Sequence, residues 1–189
     1  MAKYSTHLSL IERISSGVDP AAWHDFQDRY GQLIRSFARR KGLQDTDCDD
    51  VLQEVLTSLS RALPGFTYDP NKGLFRSYLK TITLRATFAR KNKYRPNIGL
   101  PDGEQMDAKT EEIWEQEWRQ YHLRLAMNTI RNEFNSKDVH AFVEYAQHGN
   151  SAEATAEKLN LSVHQVYQAK SRIIKRLSAI IEEQVQEEG

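Results

Sequence analysis

The sequence predicts an all-α protein with two small helical domains joined by a linker, the C-terminal one containing a helix-turn-helix. Apolar residues recur at three- and four-residue spacing through most of the chain, which is typical of amphipathic helices. Capping residues, glycines and prolines punctuate these stretches, and a segment rich in Pro, Gly, Asn and Asp follows Arg95. We therefore expect an N-terminal domain over 1–95, a linker over 96–111 and a C-terminal domain over 112–189.

Two amphipathic helices are predicted early in the first domain. Asp19 followed by Pro20 is a typical helix start, and this helix is expected to end near Gly42. Thr46 is the predicted cap of the next helix, which Pro64 stops. The apolar stripes are Trp23, Phe26, Tyr30, Leu33, Ile34 and Phe37 in the first helix, and Val51, Leu52, Val55, Leu56, Leu59 and Leu63 in the second.

The third predicted helix is purely basic. Between Asn71 and Arg95 it carries eight Lys or Arg residues and no Asp or Glu, although the chain's 26 basic and 26 acidic residues balance. An exposed helix gains stability from opposite charges three or four residues apart. A phosphate backbone would supply the missing anions from outside. Arg76, Lys80, Thr87 and Lys91 are expected to share one face. The residues expected to face inward are Phe75, Tyr78, Leu79, Ile82, Ala86 and Ala89.

Aromatic residues lie beside these cations in the sequence. Phe66 and Tyr68 fall in the loop before the basic helix, and Phe75 and Tyr78 fall in its first turn. This pattern suits single-stranded nucleic acid, because unstacked bases stack on rings while phosphates contact the cations. The alternative is a solvated amphipathic helix whose aromatic residues belong to the core.

The C-terminal third predicts three capped helices. Ser136 is expected to cap a helix that reaches about His148, and Asn150 with Glu153 resembles a capping box for a short helix. Asn160 suits a tight turn, because asparagine tolerates the left-handed backbone conformation. Ser162 with Gln165 is a second capping box, opening a helix through about Ile181. Two helices joined by a short turn indicate a helix-turn-helix; a generic helical hairpin is the alternative.

Side chains early in the second helix of such a motif reach base edges in the major groove. Here those side chains are His164, Gln165, Tyr167 and Gln168. Ser171, Arg172 and Lys175 are placed for phosphates or outer bases. The segment from Lys158 to Ile181 contains no acidic residue, which favours DNA over a purely structural hairpin.

Several functional classes lack support in the sequence. A single cysteine, Cys48, cannot form an internal disulfide or a zinc site. The six histidines show no metal-ligand spacing, and no glycine-rich phosphate loop occurs. No apolar run approaches the roughly 18–20 residues that span a bilayer, and the N-terminus lacks a signal-peptide pattern. We expect a cytoplasmic protein without membrane insertion, enzymatic activity, cofactor or metal.

One polar face completes the set of candidate sites. Asp50, Gln53, Glu54, Thr57 and Arg61 share one side of the second helix, after an acidic segment that begins at Asp45. From these residues alone, the face is a solvated surface near a helix N-terminus, where acidic side chains favour the helix dipole.

These features occur in the order found in a known family. The segments DDVLQEVLTSLSRALPGF, FRSYLKTIT and SAEATAEKLNLSVHQVYQAKSRIIKRL resemble a bacterial RNA polymerase sigma factor of the two-domain, extracytoplasmic-function (group four) type. The resemblance covers the chain from about Leu8 to Ile181. It departs from the family pattern at Thr155, at Asn160 in place of the usual turn glycine, and in the run from Gln168 to Lys170.

The resemblance implies a non-catalytic specificity subunit whose partners are core RNA polymerase and promoter DNA. It assigns core-polymerase binding to Asp50, Gln53 and Glu54. It assigns recognition and melting of the −10 element to Tyr68, Asn71, Lys72, Phe75, Arg76, Tyr78, Lys80 and Lys91. It assigns the −35 element to Ser162, His164, Gln165, Tyr167, Gln168, Ser171, Arg172 and Lys175. Family members are often held inactive by an anti-sigma factor, which is a further expected partner.

The main alternative is a stand-alone helix-turn-helix regulator that binds duplex DNA without polymerase. It leaves the Asp50, Gln53 and Glu54 face and the basic helix without a role. A helical nucleic-acid enzyme lacks an acid–base or metal constellation in this sequence. A helical adaptor that binds only proteins leaves two acid-free helices unexplained.

Overall fold

The computed structural model describes residues 7–17, 19–64, 75–94 and 107–188. Every regular element among these residues is helical, which confirms the all-α prediction. The predicted loop residues Tyr68, Asn71 and Lys72 lie outside the described residues. The helices are α1 His7–Ser15, α2 Ala21–Arg40, α3 Asp45–Ala62, α4 Phe75–Tyr94, α5 Ala108–Glu133, α6 Ser136–Phe142 continued by a π-helical turn Val143–Gln147, α7 Ala152–Leu159 and α8 Val163–Glu188.

The chain forms two compact units, Met1–Tyr121 with Glu187–Gly189, and His122–Gln186. The division falls inside α5, whereas the predicted domain boundary lies at residue 112. The last residues of the predicted linker, 108–111, are already helical. The functional roles assigned to the predicted domains remain predictions.

The core of the first unit lies between α2, α3 and α4. α2 contributes its predicted aromatic and aliphatic stripe, and Phe26 and Tyr30 are fully buried. Phe75 at the start of α4 packs edge-on against Phe26, with ring centroids 6.3 Å apart. α3 contributes four aliphatic residues to this core, namely Val51, Leu52, Val55 and Leu59. Burial of these stripes positions the polar faces of α3 and α4 toward the surface.

The first half of α5 also belongs to this unit. Trp114 is fully buried and packs against Phe37 of α2 with ring centroids 5.4 Å apart. Tyr121 stacks on Tyr30 at 5.3 Å, and its hydroxyl accepts a hydrogen bond of 2.9 Å from Arg29. Buried aromatic residues contribute strongly to packing, so these rings hold residues 108–121 against α2.

The second unit is built from residues 122–133 of α5 together with α6, α7 and α8. Its larger cluster contains Ala126, Met127, Ile130, Val139, Phe142, Ile173, Leu177 and Ile180. A smaller cluster of Ala152, Ala156 and Val166 joins α7 to the start of α8. This packing leaves the opposite side of α8 exposed.

Three of the predicted helix caps are wrong by one or two positions. α3 begins at Asp45 after Gln44, so Thr46 lies inside the helix. Asn135 rather than Ser136 caps α6 and accepts from the Asp138 amide. Ser151 rather than Asn150 caps α7. No side chain caps α3. At α6 and α7, neighbouring polar residues could each accept the first free amides, and the backbone decides which one does.

The turn between α7 and α8 matches its prediction. Asn160 has φ 51° and ψ 57°, which is the left-handed conformation expected of it. Gln165 Oε1 accepts from the Ser162 amide at 2.7 Å, and Ser162 Oγ accepts from the Gln165 amide at 3.2 Å. This reciprocal pair is the predicted capping box, and it fixes the start of α8.

Candidate functional site

The three residues assigned to polymerase binding line one groove between α3 and α4. Asp50, Gln53 and Glu54 lie on its α3 side, and all three are exposed. Arg85 and Lys93 contribute positive charge from the α4 side. The groove is therefore a polar surface with acidic and amide groups on one wall and cations on the other.

Two aspartates of the acidic segment at the start of α3 form ion pairs with α2. Arg35 Nε donates to Asp49 at 2.6 Å, and Arg39 Nε donates to Asp45 at 2.8 Å. Both carboxylates stay exposed to solvent, with 61% and 79% of their side-chain surface accessible. These ion pairs therefore join α3 to α2 without removing the two aspartates from solvent.

Arg90 of α4 forms ion pairs with two further aspartates of α3. Its Nε donates to Asp47 Oδ1 at 2.7 Å, and its Nη2 contacts Asp50. Asp47 is buried, whereas Asp50 is about half exposed. Asp50 therefore contributes to the packing of α3 on α4 as well as to the groove, while Gln53 and Glu54 are exposed beside it.

The aromatic residues of α4 differ from their assigned roles. Phe75 is buried among Phe26 and Tyr30, so in this structure it is a core residue and not a free stacking platform. Tyr78 was expected to face inward but is 38% exposed. Ala89 was also expected inside and is exposed. Tyr78 is thus an exposed aromatic residue of α4 that a base could contact.

The cations of α4 are paired with groups from other helices. Lys80 Nζ contacts both carboxylate oxygens of Glu111, at 2.8 and 2.9 Å. Arg76 forms an ion pair with Glu115, and its guanidinium lies 5.0 Å from the ring centre of Trp118. Glu111, Glu115 and Trp118 all lie on the first half of α5.

Lys91 takes a different position from the other two cations. Its ammonium group donates to the backbone carbonyl of Lys41 at 2.5 Å. Burial lowers the pKa of Lys41, whose Nζ donates to Thr110 Oγ1 at 2.5 Å. Lys91 therefore contacts the end of α2 instead of a carboxylate of α5.

The exposed side of α8 carries every residue assigned to DNA contact there. His164, Gln165, Tyr167, Gln168, Ser171, Arg172 and Lys175 are all exposed, as is Ser162 in the turn. Val166, Ala169 and Ile173 are fully buried on the other side. The amphipathic pattern of α8 thus presents the predicted contact residues to solvent together.

Contacts between neighbouring side chains orient several of these residues. Gln168 Nε2 lies 2.9 Å from His164 Nε2, one helical turn earlier. Arg172 forms an ion pair of 2.8 Å with Asp138 of α6. Tyr167 packs edge-on against Tyr145, with ring centroids 5.6 Å apart. The proximity of Tyr145 raises the pKa of the Tyr167 hydroxyl.

The sequence-based interpretation missed two groups of residues. Tyr145, in the π-helical turn after α6, contacts Tyr167 and lies under the ammonium group of Lys170 at 5.0 Å. π-Helical turns often mark functional positions, but they leave no clear signal in a single sequence. Glu111 and Glu115 were visible as acidic residues four apart, without any indication of their partners.

Within the described ranges, no three His, Cys, Asp or Glu side chains are grouped so that they could hold a metal ion. Among the same helices, none combines the length and apolarity needed to cross a bilayer.

Comparison with known proteins gives one family match. Residues 26–95 match the family model for sigma-70 region 2. This stretch includes α3, α4 and the groove between them, and the match confirms the predicted resemblance to sigma factors. No curated protein matches the chain. Among solved structures, a chain of "Structure of CnrH in complex with the cytosolic domain of CnrY" is 23% identical, covering 93% of this chain and 96% of that chain with a TM-score of 0.38.

Proposed function

We propose that this chain, which carries the region 2 domain of the sigma-70 family, is a specificity subunit of bacterial RNA polymerase of the extracytoplasmic-function type. In this role it binds core polymerase, places the enzyme on a promoter and stabilises the melted DNA strand. It performs no bond-making step itself.

The observation that carries this proposal is the groove between α3 and α4. Gln53 and Glu54 are exposed there, inside the segment that matches region 2. The core of α2, α3 and α4 and the Arg90 ion pairs hold this surface in place. A preorganised polar surface suits protein docking, because few side chains must be ordered on binding.

Promoter contacts are divided between two surfaces in this proposal. Tyr78, Arg76 and Lys80 on α4 contact the melted −10 strand, and Tyr68, Asn71 and Lys72 keep the −10 role that the resemblance assigns to them. The exposed side of α8 enters the major groove at the −35 element. Its capping box and its buried opposite side support this orientation, and a helix-turn-helix presents its second helix in this way.

We also propose that an anti-sigma factor binds this chain, because the chain resembles extracytoplasmic-function sigma factors. The groove and the exposed side of α8 are the surfaces that such a protein would cover to block polymerase and DNA. Co-purification of the chain with a protein that suppresses its transcription activity in vitro would identify this partner.

Run-off transcription separates the proposal from its rivals. The full chain is mixed with purified bacterial core polymerase and a library of promoter fragments, with core polymerase alone as control. We expect initiation at a subset of fragments that depends on this chain. A stand-alone regulator would instead bind duplex fragments without supporting initiation, and a protein adaptor would do neither.

A further inference from the structure

Two carboxylates from the first half of α5 pair with cations of α4 that are proposed to contact the promoter strand. Both oxygens of Glu111 contact Lys80 Nζ, at 2.8 and 2.9 Å, and Glu115 forms an ion pair with Arg76. The side chains of Lys80 and Arg76 retain only 23% and 22% exposure. With the carboxylates in place, these cations offer a second anion fewer free N–H donors and less net positive charge.

This arrangement is held by more than charge. Trp114 and Tyr121 of α5 are buried against α2. Trp118, also on α5, lies under the guanidinium of Arg76. A further ion pair joins Glu117 to Arg40 of α2 at 3.2 Å. The carboxylates are therefore fixed on α4 by a docked helix and not by loose side chains.

We propose that Glu111 and Glu115 act as an internal competitor for single-stranded DNA, so that the first half of α5 restrains DNA binding by the free protein. Carboxylate and phosphate bind Arg and Lys through the same charge-assisted hydrogen bonds. A DNA strand reaching Arg76 and Lys80 must displace the carboxylates or meet their repulsion. The inference rests on the proposed function, because that function makes Arg76 and Lys80 DNA contacts.

Binding of single-stranded DNA then depends on the position of the first half of α5. Free protein binds single strands weakly because its cations are already neutralised. Any event that moves residues 108–121 away from α4 exposes Arg76 and Lys80 together. Since α5 follows the predicted linker, polymerase contacts with that segment are the event that would couple docking to strand capture.

Neutral isosteric variants of full-length protein test this inference. Glu111→Gln and Glu115→Gln each remove one carboxylate from a cation, whereas Glu112→Gln makes the same charge change at a neighbouring residue that contacts Gln116. Affinity is measured with a labelled oligothymidylate and with a randomised single-stranded 20-mer. Tryptophan fluorescence, to which the buried Trp114 contributes, and the helical circular dichroism report whether each variant keeps its fold.

We expect the Glu111→Gln, Glu115→Gln double variant to bind both probes about tenfold more tightly than wild type, given the usual strength of partly exposed pairs. Glu112→Gln should change affinity less than twofold. The salt dependence of the double variant should steepen by about 0.7 for each phosphate gained. Lys80→Ala should abolish the gain from Glu111→Gln, as a double-mutant cycle requires for a direct pair.

Two results would overturn the inference. One is a double variant that binds no better than Glu112→Gln, and the other is a gain from the single Glu111→Gln change that survives Lys80→Ala. Run-off transcription with core polymerase is measured in parallel. If wild type supports transcription but the double variant shows no gain in DNA affinity, the internal competition is ruled out and the proposed function stands. Tighter binding without any transcription contradicts the proposed function and supports the competition for the cations.

Discussion

Ser162 and Gln165 exchange two hydrogen bonds across the first turn of α8, each side chain accepting from the other residue's backbone amide. This pair determines where α8 begins, and therefore which side chains occupy its first two turns. Val166 and Ala169 are buried on one side of this part of α8. His164, Gln165 and Gln168 therefore face solvent on the other side.

Loss of the capping hydroxyl should destabilise the second unit. Ser162→Ala removes the acceptor for the Gln165 amide, and loss of such caps typically costs about 1 kcal/mol. Thermal unfolding followed by circular dichroism measures the effect. Ser178→Ala, at an exposed position within α8, is the matched control and should be nearly neutral. Equal unfolding temperatures for the two variants would show that the box does not stabilise α8.

Gln168 and Lys175 should differ in how they affect promoter choice. An amide can pair bidentately with adenine, which gives roughly 1–3 kcal/mol of discrimination, whereas Lys contacts to phosphate carry no sequence information. Gln168→Ala should therefore relax the preference at one −35 position. Lys175→Ala should weaken all promoters alike and reduce the salt slope by about one. Holoenzyme binding to promoter variants is the assay, and a uniform loss in both variants would contradict the role of Gln168.

Arg90 should be a stabilising residue of the first unit. Arg90→Met removes the ion pairs with Asp47 and Asp50, and the buried Asp47 loses a charged hydrogen bond. Such a loss costs about 2 kcal/mol. Urea denaturation should show a lower midpoint for Arg90→Met than for Arg85→Met, which changes an exposed arginine on the same helix. Similar midpoints for the two variants would mean that the ion pairs contribute little.

The ion pair between Glu133 and Arg176 should make part of the stability depend on acid pH. The guanidinium of Arg176 lowers the pKa of Glu133 by hydrogen bonds of 2.7 and 2.8 Å. A carboxylate with a lowered pKa stabilises the fold above its unfolded pKa of about 4.3, and this contribution is lost as the pH falls further. Because both groups are partly exposed, the contribution should stay below about 1 kcal/mol.

Thermal unfolding of wild type and Glu133→Gln over a pH series measures this contribution. The wild type should be more stable at neutral pH, and the difference should shrink below about pH 4 as Glu133 is protonated. Glu182→Gln, at an exposed position of α8, is the control. A difference that stays constant from neutral to acid pH would show that the titration of Glu133 is not its source.

Local patterns allowed much of the fold to be predicted from the sequence. The stripes of α2 and α3, the left-handed Asn160 and the box of Ser162 and Gln165 depend on residues close in the chain. Spacing within one helix cannot show a partner from another helix. The basic helix α4 contains no acidic residue, and its Arg76 and Lys80 pair with Glu115 and Glu111 of α5.

The division into compact units differs from the predicted boundary for the same physical reason. The helical spacing of Trp114 and Tyr121 predicts that both are buried, but it does not show which helix they pack against. They pack on Phe37 and Tyr30 of α2 instead of joining the C-terminal helices. Their depth in the first unit moves the division of the chain from the predicted residue 112 to Tyr121.

We expect the groove between α3 and α4 to bind core polymerase. Glu54→Lys is the most informative change, because Glu54 is exposed in the groove, whereas changing Asp50 would also break its pair with Arg90. The affinity of labelled full-length Glu54→Lys for purified core polymerase is compared with that of wild type and of Asp28→Lys, a charge reversal at an exposed position of α2. We expect Glu54→Lys to weaken binding by roughly tenfold or more with normal helical circular dichroism, and Asp28→Lys to bind as wild type. Equal affinities for wild type and Glu54→Lys would show that this groove does not bind core polymerase.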